Sequence, residues 1–394
     1  MVTTVPRLPT HRGHTEHLGP TRPRSAAGAV RHLGPNWYAP VMGTAIVATA
    51  GAGLPFGAPG LRTVCAAFWA LSLILLAGLL VARAVHWIQH GDRARAHLMD
   101  PAVAPFYGCL SMALLAVGGG ALVVGRDWIG TPAAVALDAV LFTAGTLTGL
   151  TAAVAVPYLM ITRHRPDASQ ITPVWLLPLV APMVSAAVGP LLVPHLPPGA
   201  PRATLLLVCF ALFGLSLLAT LVTLPMIFAR LLTGGPLPLA LTPALFLVLG
   251  PLGQSTTAVD KFAVAAPGVV PAPYDQGLAV LAVLYGVPLM GFALFWLALA
   301  GAMVVRAHRR GMRFTMTWWA FTFPVGTCVT GAEGLGRHAG LVVYDGLTIA
   351  LYALLLAAWA VAAAHTARGL LSGRLLAAPR PVPAEPAPTT ARTT

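Results

Sequence analysis

The sequence predicts an all-α integral membrane protein of about ten transmembrane helices, on three observations. Of its 394 residues, 57% are hydrophobic and 9% charged, against roughly 25% charged in a soluble domain. Apolar stretches of about 20 residues, the length that crosses a bilayer as a helix, recur along the whole chain. The basic residues, 23 Arg and one Lys, crowd into the two tails and alternate connections.

Ten spans are expected, at about 36–53, 64–85, 104–124, 133–160, 173–194, 203–232, 239–260, 277–304, 314–335 and 341–366. The first is short by hydropathy. Its sequence, GPNWYAPVMGTAIVATAGAG, places aromatic anchors ahead of small and apolar residues, which suits a helix packed inside a bundle. Both tails and the loops after spans 2, 4, 6 and 8 hold 19 of the 24 basic residues. The remaining connections hold Arg62, Arg126, Arg202, Lys261 and Arg337. An even number of spans with both termini cytoplasmic satisfies the positive-inside rule. The chain thus reads as five consecutive helical hairpins, multi-pass in a cell membrane of the bacterial inner type.

Three segments are expected: a basic, disordered cytoplasmic tail over 1–34, a membrane domain over 35–366, and a Pro/Ala/Thr-rich disordered tail over 367–394. Residues 1–34 have no apolar core of the kind a cleavable signal carries. The net charge of +13 is distributed as a topology signal and not as a basic face, so nucleic acid is not an expected partner. Cys65, Cys109, Cys209 and Cys328 each lie in an apolar run without a CxxC pair. The histidines form no HxxxH or HExxH pattern, so neither a metal nor another cofactor is expected. No phosphate-gripping GxxxxGK[ST] loop is present.

Charges within the spans are few. Asp138, Asp260, Lys261 and Glu333 all fall near predicted outer ends, and Glu333 with Arg337 reads as an i,i+4 ion pair. No catalytic set shares a depth, so an enzyme is not expected. A mid-membrane ionisable group would favour a proton-coupled transporter, and Asp138 is the nearest candidate.

Mid-membrane polarity is instead hydroxyl and amide: Thr44 and Thr49, Ser111, Ser185, Gln254 to Thr257, and Thr322, Thr327 and Thr330. All lie on odd spans. Thr44, Ser111, Ser185, Gln254, Ser255 and Thr327 are the candidate pore-lining groups, since weak neutral donors suit passage of anions. Helix packing is the other use of such residues. Odd spans also carry Pro40, Pro105, Pro182, Pro251 and Pro324 as candidate kinks. Pro157, Pro225 and Pro288 in even spans show that proline alone does not mark a pore.

Four segments carry a family resemblance: PNWYAPVMGTAIV at 35–47, WLLPLVAPMVSAAVGP at 175–190, GPLGQS at 250–255 and RFTMTWWAFTFPVGT at 313–327. Over roughly residues 33–366 the chain resembles the tellurite-resistance/dicarboxylate transporters. That family spans malate permeases, sulfite efflux pumps and slow anion channels. Where members commonly carry a second glycine in the MGT motif, this chain has Ala45. The resemblance implies five hairpins around a central pore, odd helices inside, and a homotrimer with one pore per protomer. It also implies a phenylalanine gate from the ninth helix. Phe321 and Phe323 lie about 200° apart on a helix and cannot both enter the pore. Phe323, beside Pro324, is chosen and Phe321 is the alternative. The expected function is transport of small anions in a lipid bilayer. C4-dicarboxylates such as malate come first, and sulfite, tellurite or inorganic anions second.

Overall fold

A computed structural model describes residues 33–373 and 375. All ten expected helices are present among them. They are α1 (Ala39–Ala52), α2 (Leu61–Gln89), α3 (Gly108–Gly120), α4 (Thr131–Leu159) and α5 (Leu176–Val188), then α6 (Ala200–Gly234), α7 (Leu249–Ala265), α8 (Tyr274–Arg309), α9 (Phe323–Ala339) and α10 (Val342–Leu371). Residues 1–32, 374 and 376–394 of the expected tails lie outside the described residues; within those tails Leu33 is buried and accepts from Arg83 at 2.6 Å, and α10 continues past the expected boundary at 366 to Leu371.

Even and odd helices differ because they face different solvents. In the most apolar stretch of each even helix only 22–33% of residues are buried, whereas the figure is 78–83% for the spans containing α3, α5 and α7. The even helices are Leu-, Val- and Ala-rich cylinders whose backbone bonds close internally, as hydrocarbon requires. The odd helices touch one another in a closed sequence: α1 with α3, α3 with α5, α5 with α7, α7 with α9, and α9 with α1. Each odd helix also packs along the even helix that follows it, giving five hairpins around a central axis. Hydrogen bonds cross four of these seams. Ser111 donates to the Gly145 carbonyl at 2.6 Å, Ser216 to Leu179 at 2.7 Å, Trp296 to Leu245 at 2.9 Å, and Trp319 to the Thr366 hydroxyl at 2.9 Å.

Every odd helix begins in a short 3-10 segment at the arginine-rich end: Pro35–Tyr38, Ala104–Tyr107, Pro173–Trp175, Leu239–Val248 and Met316–Phe321. These lead-ins explain why α1, α3 and α5, with 14, 13 and 13 residues, look too short. The 14 residues of α1 rise only about 21 Å as α-helix. The four-residue lead-in adds about 8 Å at 2.0 Å per residue, close to the ~30 Å hydrocarbon thickness.

The lead-ins also correct the proline expectation. Pro40 and Pro324 stand in the first turn of α1 and α9, Pro105 in the first turn of its lead-in, and Pro251 is the third residue of α7. Pro40, Pro251 and Pro324 thus stand within three residues of the point where a lead-in gives way to α-helix, so the ladder bond that proline removes falls where the helix changes type. Of the five, Pro182 is the one inside a helix. The connection after α2, expected as loop, holds a short helix, Gly91–Met99.

Candidate functional site

The ring of odd helices encloses a cavity of about 550 Å³ that opens at the end opposite the arginine-rich connections. Every odd helix contributes to its wall, through Thr49, Gly119, Val184, Gln254 and Thr330 among others. A smaller cavity of about 30 Å³ lies toward the lead-ins, again with a residue from each odd span: Met42, Cys109, Leu177, Ala244 and Pro324. Phe323 borders both. The residue is 3% exposed and lies at the neck between the two spaces. Phe321 borders neither. It packs edge-on against Phe246, with ring centroids 4.8 Å apart, and against Trp318 at 5.8 Å.

The recognisable motif glycines hold the helices close around this neck. A Cβ on Gly43, in the MGT motif of α1, would stand 2.3 Å from the Thr322 hydroxyl just before α9. A Cβ on Gly253, in GPLGQ, would stand 2.5 Å from the α9 backbone at Thr327 and Cys328. Real Cβ contacts do not approach that closely, so only glycine fits these crossings.

Of the six expected pore-lining groups, Gln254 alone borders the cavity. The other five are committed to packing. Thr44 donates to the Pro40 carbonyl at 2.7 Å and accepts from Trp359 Nε1 at 3.0 Å. Ser111 bonds across to α4. Ser185 accepts from Thr146 at 3.0 Å. Ser255 and Thr327 donate to the backbone of their own helices at 3.0 and 2.7 Å. The hydroxyls that do border the cavity are Thr49, Thr257 and Thr330. Thr257 and Thr330 share a hydrogen bond of 2.7 Å. Helical phase carries the missed signal. Thr330 lies seven residues after Phe323, and Thr257 three after Gln254, so each shares a face with its partner.

The open mouth of the cavity is charged. Arg62, Arg126, Lys261 and Glu333 border it. Asp260, 2% exposed, accepts from Arg337 at 2.7 Å and lies 3.0 Å from the Lys261 ammonium and 3.2 Å from His338 Nε2. Arg337 also pairs with Glu333, extending the expected i,i+4 pair into a network that joins α7 to α9. Across the mouth Arg62 pairs with Asp127 at 2.5 Å. Asp138 is the eighth residue of α4, near its outer end as expected. It is fully buried between α3 and α4, its carboxylate against Gly118, and it does not border the cavity. Among the described residues neither of its oxygens has a hydrogen-bond partner. No group of three or more His, Cys, Asp or Glu side chains among the described residues could hold a metal ion.

Comparison with known proteins agrees with this architecture. Residues 32–367 match the family described as voltage-dependent anion channel. A sulfite efflux pump of Arthroderma otae is 27% identical over 348 residues, covering 86% of this chain and 91% of that protein. A sulfite efflux pump of Trichophyton rubrum is 27% identical over 337 residues, 80% of this chain and 85% of that one. An uncharacterised transporter of Methanocaldococcus jannaschii is 25% identical over 350 residues, covering 88% and 96%. A closed ring of odd helices around a necked cavity, and a family match spanning the whole membrane domain, place the chain among transporters and channels and not among enzymes: it belongs to the voltage-dependent anion channel family.

Proposed function

We propose that this chain passes small oxyanions through the axis of the odd-helix ring, with sulfite the first candidate and Phe323 the gate. The observation that carries the reading is the position of Phe323 between two cavities that share one axis. Sulfite moves ahead of the C4-dicarboxylates, such as malate, that the family range first suggested. Two relatives that cover most of the chain are named as sulfite efflux pumps. The inner space of about 30 Å³ also favours a compact ion. Malate remains the second candidate.

Gln254 is the chief anion donor in this reading. Its amide faces the cavity, whereas Thr257 and Thr330 spend their hydroxyl protons on one another and on the backbone. Neutral donors bind an anion weakly enough to release it. Lys261 and Arg126 at the mouth draw anions in. The arginine-rich end faces the cytoplasm by the positive-inside rule, which puts both termini there and opens the large cavity to the outside. The working unit is a homotrimer with one path in each protomer.

The test is reconstitution in liposomes with flux of sulfite, malate and chloride measured for wild type and Phe323→Ala. Removing the ring raises flux of at least one anion, sulfite foremost. Equal flux in both proteins sinks the gate. Silence of both toward every anion sinks the transport reading.

A further inference from the structure

A second sizeable cavity lies off the anion path, in the seam between α6 and α8 at the arginine-rich end. It holds about 280 Å³ and is walled by Phe228, Leu231, Trp296, Leu299 and Met303, with Arg306 at its rim. Its inner wall is fixed. Trp296 is 1% exposed, and its indole N–H is already donated to the Leu245 carbonyl at 2.9 Å. Gly235 and Pro236 are also in the lining, whose one charged side chain is Arg306. Both flanking helices are among those that turn most of their surface outward, so the groove faces the bilayer and not the ring axis. Arg306, Arg309, Arg310 and Arg313 are all exposed and follow one another around the end of α8.

We propose that this groove is a binding site for an anionic phospholipid, one acyl chain lying along the aromatic and aliphatic wall and the headgroup phosphate resting on Arg306. An apolar crevice immersed in lipid at the depth of a helix end fills with chain. A basic rim at that depth selects a charged headgroup from the surrounding neutral ones. The guanidinium presents a planar fork of donors that matches phosphate oxygens, which a lone ammonium does not. The occupant sits close to the anion path: Leu245 forms part of the groove wall, and its neighbour Phe246 packs on Phe321, two residues before Phe323.

The inference stands apart from the anion reading because it is tested by lipid binding and not by flux. Purified full-length protein in detergent is titrated with phosphatidylglycerol and, separately, with phosphatidylcholine, and the most tightly held lipid is followed by native mass spectrometry. Phosphatidylglycerol is expected to bind more tightly. Arg306→Gln, an exposed change that leaves the fold intact, is expected to weaken it by about fivefold, the worth of one cation near an anionic surface, and to leave phosphatidylcholine unaffected. Leu299→Trp, which fills the groove, is expected to reduce retention of both lipids, with thermal unfolding confirming that the variant folds. Equal phosphatidylglycerol affinity in wild type and Arg306→Gln overturns the proposal. So does a folded Leu299→Trp variant that keeps its lipid and loses oligomers, which makes a second copy of the chain the occupant.

Discussion

Ile46 of α1 lies on the bare backbone of Gly326 of α9: a Cβ at position 326 would stand 2.3 Å from Ile46 Cγ1. Ile46 also borders the cavity just above the neck, so the same contact that closes the ring between its first and last odd helices also shapes the path. Gly326→Ala therefore overfills the crossing and is expected to cost about 1–3 kcal/mol, read as a lower melting temperature. Adding Ile46→Ala to the same protein should recover most of that loss. Two additive losses would mean that the helices do not meet there.

Phe321 and Phe323 separate structure from passage. Phe321→Ala removes the ring that packs on Phe246 and Trp318 and should destabilise the fold by about 2–4 kcal/mol, below a fully buried Phe→Ala because the side chain is only partly buried. Flux per folded molecule should stay at the wild-type level. Phe323→Ala also removes a buried ring and should lower the melting temperature too, but unlike Phe321→Ala it should raise flux per folded molecule: removing ~1.4 kcal/mol of barrier raises flux about tenfold. Paired melting and liposome-flux measurements on the two variants distinguish these outcomes.

Gln254→Leu and Thr44→Val form a second contrast. Gln254 borders the cavity, so its loss should lower anion flux about tenfold, corresponding to ~1.4 kcal/mol of anion stabilisation, without lowering the melting temperature. Thr44 accepts the Trp359 indole proton. Thr44→Val leaves that buried donor unpaired at a cost of about 1–3 kcal/mol and should leave flux per folded molecule unchanged. A flux defect in Thr44→Val would put that hydroxyl on the path after all.

Asp260 holds three cationic or titratable side chains at the mouth. Asp260→Asn keeps the shape and removes the charge. It is expected to cost about 1–3 kcal/mol, less than for a fully buried pair because Arg337 and Lys261 keep contact with water. Arg337→Gln in the same background should then add little, and a double-mutant cycle of melting temperatures reads the coupling.

His97, on the short helix after α2, stacks on His86 with ring centroids 5.6 Å apart. Burial first, then the charges of Arg83 and His86, hold its pKa below the usual 6.5, with Asp100 opposing and Arg93 reinforcing them. A lowered histidine pKa means that the unfolded segment binds the proton more tightly than the folded one. Stability of this segment is therefore full above about 6.5 and declines as pH falls through and below that value. The ring is half-buried, so the effect is small, under about 1 kcal/mol after solvent screening. Protection factors across Gly91–Met99, taken relative to the intrinsic exchange rate at each pH, should be lower at mildly acid than at neutral pH, and His97→Phe should flatten that dependence.

Much of the fold was legible in the sequence because hydrocarbon imposes simple rules. Apolar length fixed the even helices, and the placement of arginine fixed the hairpin phase. The 3-10 lead-ins were not legible, since prolines such as Pro40 and Pro324 carry the same letter whether they start a helix or bend one. Which polar residues border the cavity was legible only in part. Hydroxyls on odd helices were recognised, but Thr44, Ser111 and Ser185 look the same in sequence as Thr49, Thr257 and Thr330. Depth alone does not separate a residue facing the axis from one facing a neighbouring helix. Phase does, once one axial residue is known: stepping along α9 from Phe323 by seven reaches Thr330. The burial of Asp138 between α3 and α4 was not legible, because only the α3 glycine opposite it reveals how closely the two helices meet there.

The closed inner ring also divides the chain into two kinds of history. An even helix answers only to lipid along most of its surface, so leucine, valine and phenylalanine can replace one another there with little consequence. An odd helix must fit two siblings, a partner and a cargo at once, and its small residues are hard to replace. Lineages that have drifted to about a quarter identity should therefore keep their shared letters in alternating blocks, dense on odd helices and sparse on even ones. Aligning those relatives against this chain would show five such bands.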